Sequence, residues 1–242
     1  MSTLGEKMIA AAAELRDAVN ALSFAAPVTH TYNPLDYAWA VHELYLKKFA
    51  TTRKRLLFLG MNPGPWGMMQ TGVPFGEIRA VRDWMGITAA VHRPADEHPK
   101  RPVLGFACPR SEPSGRKLWA LFAQRFGTPD VFFREHFVVN YCPLAFLKEP
   151  CANYTPDKLP RAEQAALFAA CDEHLRRVVE LLQPEWLVGV GKFAEARFAG
   201  SGVISSGRRV AGILHPSPAS PAAHHDWHGK VTRQLQTCGA WT

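Results

Sequence analysis

The chain has 242 residues, with 28 Lys and Arg against 21 Asp and Glu, a formal net charge of +7. At 47% hydrophobic and 20% charged residues it is too apolar for disorder and too evenly mixed for collagen or coiled coil, and it is long enough to bury a core without staples. Five cysteines (Cys108, Cys142, Cys151, Cys171, Cys238), an odd number without a CxxC pair, argue against a secreted disulfide framework and a zinc ribbon.

Apolar residues at helical spacing (Met8, Ala12, Leu15, Val19, Leu22) predict a helix over 2–22, and the same pattern predicts another over 35–49. The acidic residues inside the first stretch do not fit a signal peptide. No apolar run reaches the length of about 18 residues that a membrane span needs. The expected location is therefore cytoplasmic, with reduced thiols. Next comes RKRLLFLGMNPGPWG, a short apolar run that ends in glycines and prolines and fits a strand buried on both faces. HFVVNYCP from His136, WLVGVG from Trp186 and RRVAGILHP from Arg208 have the same form, and helical patterns, clearest over 160–182, separate them. Four such strands alternating with helices predict an α/β layered fold with a mainly parallel sheet. We expect one domain over 1–242, with residues 1–50 as a helical cap; a division before Thr51 is the alternative.

In open α/β sheets ligands bind beyond the carboxyl ends of the strands. There the sequence places Asn62, Asn140 and His215, which would converge on one crevice. GVGKF, with Gly189, Gly191 and Lys192, satisfies neither a phosphate loop nor a dinucleotide fingerprint, so tight strand-to-helix packing is its expected role. The segment over 60–84 is a long Gly- and Pro-rich loop before a helix predicted near Glu77, and such a loop is rigid yet open to close approach by a ligand. HPSPASP (215–221) is a second rigid loop, able to press on a phosphate backbone, before a helix predicted near Asp226. The positive balance favours an anionic partner such as nucleic acid.

GMNPGPWGMMQTGVPFGEI, VVNYCPLAFL and HPSPASP, with CPRSEPSGRKLWALF and WLVGVGKFAEAR, together resemble the single-strand-selective monofunctional uracil-DNA glycosylase family, here in bacterial-type form, a branch of the uracil-DNA glycosylase superfamily. The resemblance implies a three-layer α/β fold with a central four-stranded parallel sheet flanked by helices. It implies excision of uracil and 5-substituted uracils such as 5-hydroxymethyluracil from single- and double-stranded DNA, by a monomer without metal or organic cofactor, nucleoid-associated during repair. By the same resemblance Asn62 positions the attacking water, His215 stabilises the departing base, Asn140 reads it and Phe75 stacks on it. Met61, Gly64 and Met68 complete the substrate-binding set, the last two near a water at the 5-position. Pro63, Pro65, Pro216, Ser217, Pro218, Ala219 and Ser220 are the implied DNA contacts.

The chemistry fits those roles. A donor aimed at the O2 of the departing uracil anion acts like an oxyanion hole, and a neutral His215 supplies one if its proton sits on the nitrogen facing O2. Asn62 cannot take a proton and can only orient a water; capping its own loop is the plainer role for an Asn-Pro residue. One amide at Asn140 pairs with both N3 and O4 of uracil and not with cytosine, provided that neighbours such as Tyr141 and Cys142 lock it. Against the vertebrate pattern, Ala219 and Ser220 replace an arginine and an asparagine, which weakens the wedge needed in duplex DNA, and Trp66 replaces a phenylalanine. The group His224, His225, Asp226 and His228 has the residue types of a zinc site, but a solvated DNA-facing helix start is the simpler expectation. The basic run over 47–55 is either a solvated edge or a phosphate contact. Two alternatives remain: a lesion-binding protein without catalysis, which would not need Asn62 and His215, and a glycosylase for deaminated purines such as xanthine or hypoxanthine.

Overall fold

The four apolar runs all become strands of one sheet, and their parallel alignment gathers the polar residues that follow them on one side. The computed structural model describes residues 2–204, 207–220, 223 and 225–242. The chain begins with helix α1 (Leu4–Asn20), strand β1 (His30–Tyr32), helices α2 (Pro34–Tyr37) and α3 (Trp39–Phe49), strand β2 (Leu56–Gly60) and the one-turn helix α4 (Met68–Thr71). Helices α5 (Pro113–Phe126) and α6 (Pro129–Glu135) lead into strands β3 (His136–Asn140), β4 (Ala145–Lys148) and β5 (Ala152–Tyr154). Helix α7 (Arg161–Leu182), strand β6 (Trp186–Val190), helix α8 (Lys192–Gly200), strand β7 (Arg209–Ile213) and helix α9 (Trp227–Thr237) complete it.

The main sheet has the order β3-β2-β6-β7 with every neighbouring pair parallel. β2, β3 and β6 are buried at every position, as continuous apolar runs require when helices cover both faces. β7, which carries Arg209, lies at the edge and is mostly half-exposed. A second, antiparallel sheet of order β1-β4-β5 was not expected, because strands of three or four residues are too short to show an alternation.

Helix α1 starts in a capping box, with Thr3 Oγ1 accepting from the Glu6 amide and Glu6 accepting from that of Thr3. Its apolar face (Met8, Ala12, Leu15, Val19) joins the same buried cluster as β2, β3 and β6. The helix predicted over 35–49 is two helices, because Ala38 leaves the helical conformation (φ −111°, ψ 25°). Gly72 lies against that break; a Cβ there would come within 2.8 Å of the Ala38 carbonyl oxygen. The predicted long loop contains α4, and its following helix widens into a π-helical turn at Ala80–Trp84. All five cysteines are free, four of them buried. Among the described residues no helix is long and apolar enough to cross a membrane.

The basic run over 47–55 is more than a solvated edge, although Lys47 and Arg53 are exposed. It precedes β2, at the end of the sheet away from Gly60, and three of its cations hold the backbone: Lys48 donates to the Met85 carbonyl (2.6 Å), Lys54 to Phe133 and Arg55 to Ala240. Lys54 is so enclosed that burial pushes its pKa down to about 8.

Three histidines, His42 and His136 buried and His174 half-buried, are held neutral. His42, His136 and His174 each donate from Nδ1 to a carbonyl, of Gly72, Phe132 and Ala11, and burial pushes each pKa down to about 4. The unfolded chain takes up these protons near pH 6.5 and the folded chain does not, so their cost appears as pH falls from about 6.5 to about 4. Each unit of difference is worth about 1.4 kcal/mol. The melting temperature should therefore fall steeply over that window and much less between pH 7 and 8; equal slopes in the two ranges would contradict the neutral assignment.

Candidate active site

Gly60 and Asn140 end their strands directly opposite each other. A Cβ at position 60 would sit 2.2 Å from Asn140 Oδ1 and 2.5 Å from the Phe75 ring, so only glycine lets the amide and the ring meet there. Asn140 is 8% exposed; its Nδ2 donates to Met68 Sδ at 3.2 Å, and its Oδ1 is buried with no partner. A thioether only accepts, so Met68 determines which end of the amide turns towards it. The lock expected from Tyr141 and Cys142 is thus supplied by Met68. The Tyr141 hydroxyl goes to Asp172 (2.8 Å) and the Cys142 thiol to the Leu144 carbonyl. An unpaired buried acceptor costs about 1–3 kcal/mol, which suits an atom that waits for a ligand N–H.

Phe75 adopts φ 53°, a left-handed conformation costing about 1–3 kcal/mol outside glycine. The surroundings enforce it. Its carbonyl accepts from Trp119 Nε1 (3.0 Å) and from the Glu77 amide (2.7 Å). Gly115 admits that carbonyl, since a Cβ there would lie 2.0 Å from it. Glu112 caps α5 by accepting from the Ser114 (3.2 Å) and Gly115 (2.6 Å) amides, and its side chain fills the space beside Gly67, where a Cβ would meet it at 2.8 Å. Burial raises its pKa. One carboxylate thereby ties the loop after β2 to the helix that holds Phe75.

Asn62 donates from Nδ2 to the Leu144 carbonyl at 3.2 Å, and its Oδ1 has no protein partner among the described residues. The expected self-capping role is not seen. His215 accepts at Nδ1 from the Ser217 amide (3.1 Å), so the neutral ring carries its proton on Nε2, and burial pushes its pKa down. The His215 and Phe75 rings lie 6.2 Å apart. Gly191 (φ 91°) passes so close to His215 that a Cβ would be 3.2 Å from that of the histidine. GVGKF is indeed a close-packing device: a Cβ on Gly189 would lie 2.3 Å from the Glu195 amide nitrogen, and the Lys192 side chain is 95% exposed.

Ser217 organises the second loop. Besides its amide on His215, its Oγ accepts from Ala219 (3.2 Å) and its carbonyl from Ser220 (3.0 Å). Pro218 and Ala219 form the exposed tip, Ser217 and Ser220 are half-buried, and Pro216 is buried. Met61, Gly64 and Pro65 are half-buried, whereas Pro63 is buried, so Pro63 and Pro216 shape the backbone beneath the surface. Trp66 does more than pack: the guanidiniums of Arg110 and Arg101 lie 4.5 and 5.0 Å from its ring, which places positive charge beside the loop.

The histidine group divides. His224 lies outside the described residues and His225 is exposed. Asp226 caps α9 by accepting from the Gly229 amide, and His228 is half-buried with Nε2 on the Lys117 carbonyl (3.0 Å). This helix start is therefore only partly solvated. Among the described residues no group of three or more His, Cys, Asp or Glu could hold a metal ion.

Sequence reasoning missed Gly60, Gly115, Glu112 and Trp119, and it read Gly191 as strand-to-helix packing without its approach to His215. Only Glu112 carried a readable signal, an acidic residue before a proline at a helix start; the glycines look like any others until the packing is known.

Comparison with known proteins identifies the family. The family profile of the uracil DNA glycosylase superfamily matches residues 47–235. A single-strand selective monofunctional uracil-DNA glycosylase of Rattus norvegicus is 47% identical over 98% of this chain and 86% of its own. The protein of the same description from Mus musculus is 46% identical over 98% and 85%. The crystal structure of wild-type SMUG2 from Pedobacter heparinus matches with a TM-score of 0.71 at 18% identity, over 99% of this chain and 98% of that one, a likeness of fold. With this identity sustained over almost the whole of its length, the chain belongs to the single-strand selective monofunctional branch of the uracil DNA glycosylase superfamily.

Proposed function

We propose that the protein hydrolyses the N-glycosidic bond of uracil in DNA and leaves an abasic site. The observation that carries this reading is the Asn140 amide, whose unpaired Oδ1 and oriented Nδ2 form an acceptor and donor pair at a strand end. Uracil offers the complement, N3–H to Oδ1 and O4 to Nδ2. Cytosine has an acceptor at N3 and would set two lone pairs against each other in a buried site, a mismatch that discriminates strongly. Phe75 supplies the stacking surface.

Chemistry then needs no charged residue. Asn62 Oδ1 accepts a hydrogen bond from a water and aims its oxygen at C1′. As the C1′–N1 bond breaks, the pair of electrons leaves with uracil and charge collects on O2, to which His215 Nε2–H donates. The water oxygen bonds to C1′ and loses its proton, and the uracil anion gains one. Asn62 cannot serve as a base, so the sugar develops cationic character before water attacks. A binding protein without catalysis would need neither the free Asn62 oxygen nor the fixed His215 tautomer.

We read the chain as one glycosylase unit, a monomer acting on DNA in the cytoplasm, with 5-substituted uracils such as 5-hydroxymethyluracil accepted near Gly64 and Met68. Extruding a base from a duplex costs a few kcal/mol, and a wedge filling the gap offsets it. Ala219 at the loop tip has one carbon to offer, which favours single-stranded over duplex substrates.

Purified protein with chelator, on single-stranded oligonucleotides bearing uracil, 5-hydroxymethyluracil, xanthine or hypoxanthine, should give alkali-labile sites from the uracils; none from any substrate would sink the reading. Asn62→Ala and His215→Ala should each lower the single-turnover rate by about 100- to 1,000-fold, the usual loss of one preorganised polar group, with affinity for abasic-site DNA kept. Gly60→Ala should lose uracil excision while staying folded, because its methyl takes the space of Asn140 Oδ1; retained activity would show that the strand-end contact is dispensable. Raising salt should weaken binding of every sequence through counterion release and leave the preferred base unchanged.

A further inference from the structure

Asn140 has a second side. A cavity of about 30 Å³ is lined by Asn140, Met68, His42, His174, Met8 and Leu46 among others, and neither Phe75, Asn62 nor His215 borders it. It therefore lies behind the base-reading amide. By volume it can hold a water, which needs about 10–15 Å³.

Its polar wall has a defined sense. His42 Nδ1 lies 2.8 Å from the Gly72 carbonyl and His174 Nδ1 3.2 Å from that of Ala11. A carbonyl only accepts, so both protons sit on Nδ1 and both Nε2 atoms are acceptors. Burial pushes both pKa values down to about 4, so neither ring is cationic at neutral pH. Two acceptors beside one cavity call for a group with two protons to give and lone pairs to spare.

We propose that one water in this cavity donates to Nε2 of His42 and of His174 and accepts from Asn140 Nδ2–H on the Met68 side, making the two histidines positioning residues for base selection. With both its protons committed, that water can only accept from Asn140. An inverted amide would point Oδ1 at a lone pair of the water and at the Met68 sulfur together. The Gly72 and Ala11 carbonyls, through two imidazoles and a water, thus determine that Oδ1 faces the base. Met68 alone is a weak acceptor; the water gives the amide a strong one. The inference rests on the uracil-reading role of Asn140.

The test uses the full chain. Its crystal structure at high resolution should show one water within hydrogen-bonding distance of both Nε2 atoms and Asn140 Nδ2; a dry cavity, or a water that misses either histidine, overturns the proposal, whatever the protein excises. His42→Asn and His174→Asn keep an amide near the Nδ1 position for the carbonyl and delete Nε2. In each, single-turnover excision of uracil should slow about tenfold, the order expected for one net hydrogen bond. Cytosine excision relative to uracil should rise, and abasic-site affinity should stay unchanged. His42→Gln, which restores an acceptor near the ε position, should recover the selectivity. Unchanged uracil and cytosine rates in the folded Asn variants overturn the proposal; a wild-type protein that excises no uracil overturns instead the function on which it rests. If neither Asn variant folds, the wild-type crystal structure decides.

Discussion

The site depends on a missing atom. Gly60 has no Cβ, so Asn140 Oδ1 and the Phe75 ring come together over the ends of two adjacent parallel strands. A methyl there would overlap both at less than 3 Å and displace these side-chain ends, while their backbones stay fixed. Asn140 sits on a strand buried at every position, and Phe75 is held by its carbonyl in a left-handed conformation that phenylalanine resists. That strain is sustained by α5, which approaches through Gly115 and is capped by Glu112. Interiors are close-packed and do not deform smoothly, so one glycine determines whether the amide and the ring can meet.

The polar side chains of the site owe their roles to backbone groups. Leu144 O takes the Asn62 amide nitrogen and leaves its oxygen without a protein partner among the described residues; the Ser217 amide occupies His215 Nδ1 and leaves Nε2–H to donate. An amide and an imidazole each have two chemically different ends, and a wrong end in a buried site leaves groups unpaired. Backbone partners are suited to this task because a carbonyl cannot donate and an amide N–H cannot accept. The site therefore gains definite donors and acceptors without a charge that would have to be desolvated. The cations serve elsewhere: Lys48, Lys54 and Arg55 brace the opposite end of the sheet, and Arg101 and Arg110 flank Trp66 beside the loop.

These distinctions explain what the sequence could disclose. Four continuous apolar runs with polar residues at their ends announced a parallel sheet and the positions of Asn62, Asn140 and His215, because a buried strand must be apolar throughout and a ligand must lie beyond it. The antiparallel strands β1, β4 and β5 were silent because three residues cannot display a period. The break at Ala38 was invisible for another reason: nothing local forbids a helix through alanine, and what lies against the break is Gly72, distant in the chain. The lock on Asn140 was sought in its sequence neighbours and lies in Met68, on a separate element.

On the proposed function, the +7 charge and the neutral site divide the work of finding a lesion. Positive charge draws in every stretch of DNA alike, because phosphates carry no sequence information. Selection must then come from groups indifferent to that field, and a neutral amide and a neutral imidazole are suited to it. In the proposed reaction a cationic His215 would bind a nearby phosphate as readily as the developing uracil anion, whereas a neutral Nε2–H would gain most when charge appears on O2, which is the condition for lowering a barrier rather than only tightening binding. Burial keeps the ring neutral, and the same burial leaves Asn140 Oδ1 without solvent. On the proposed function, the property that makes the unpaired Asn140 Oδ1 costly is therefore the one that makes it selective when a base enters.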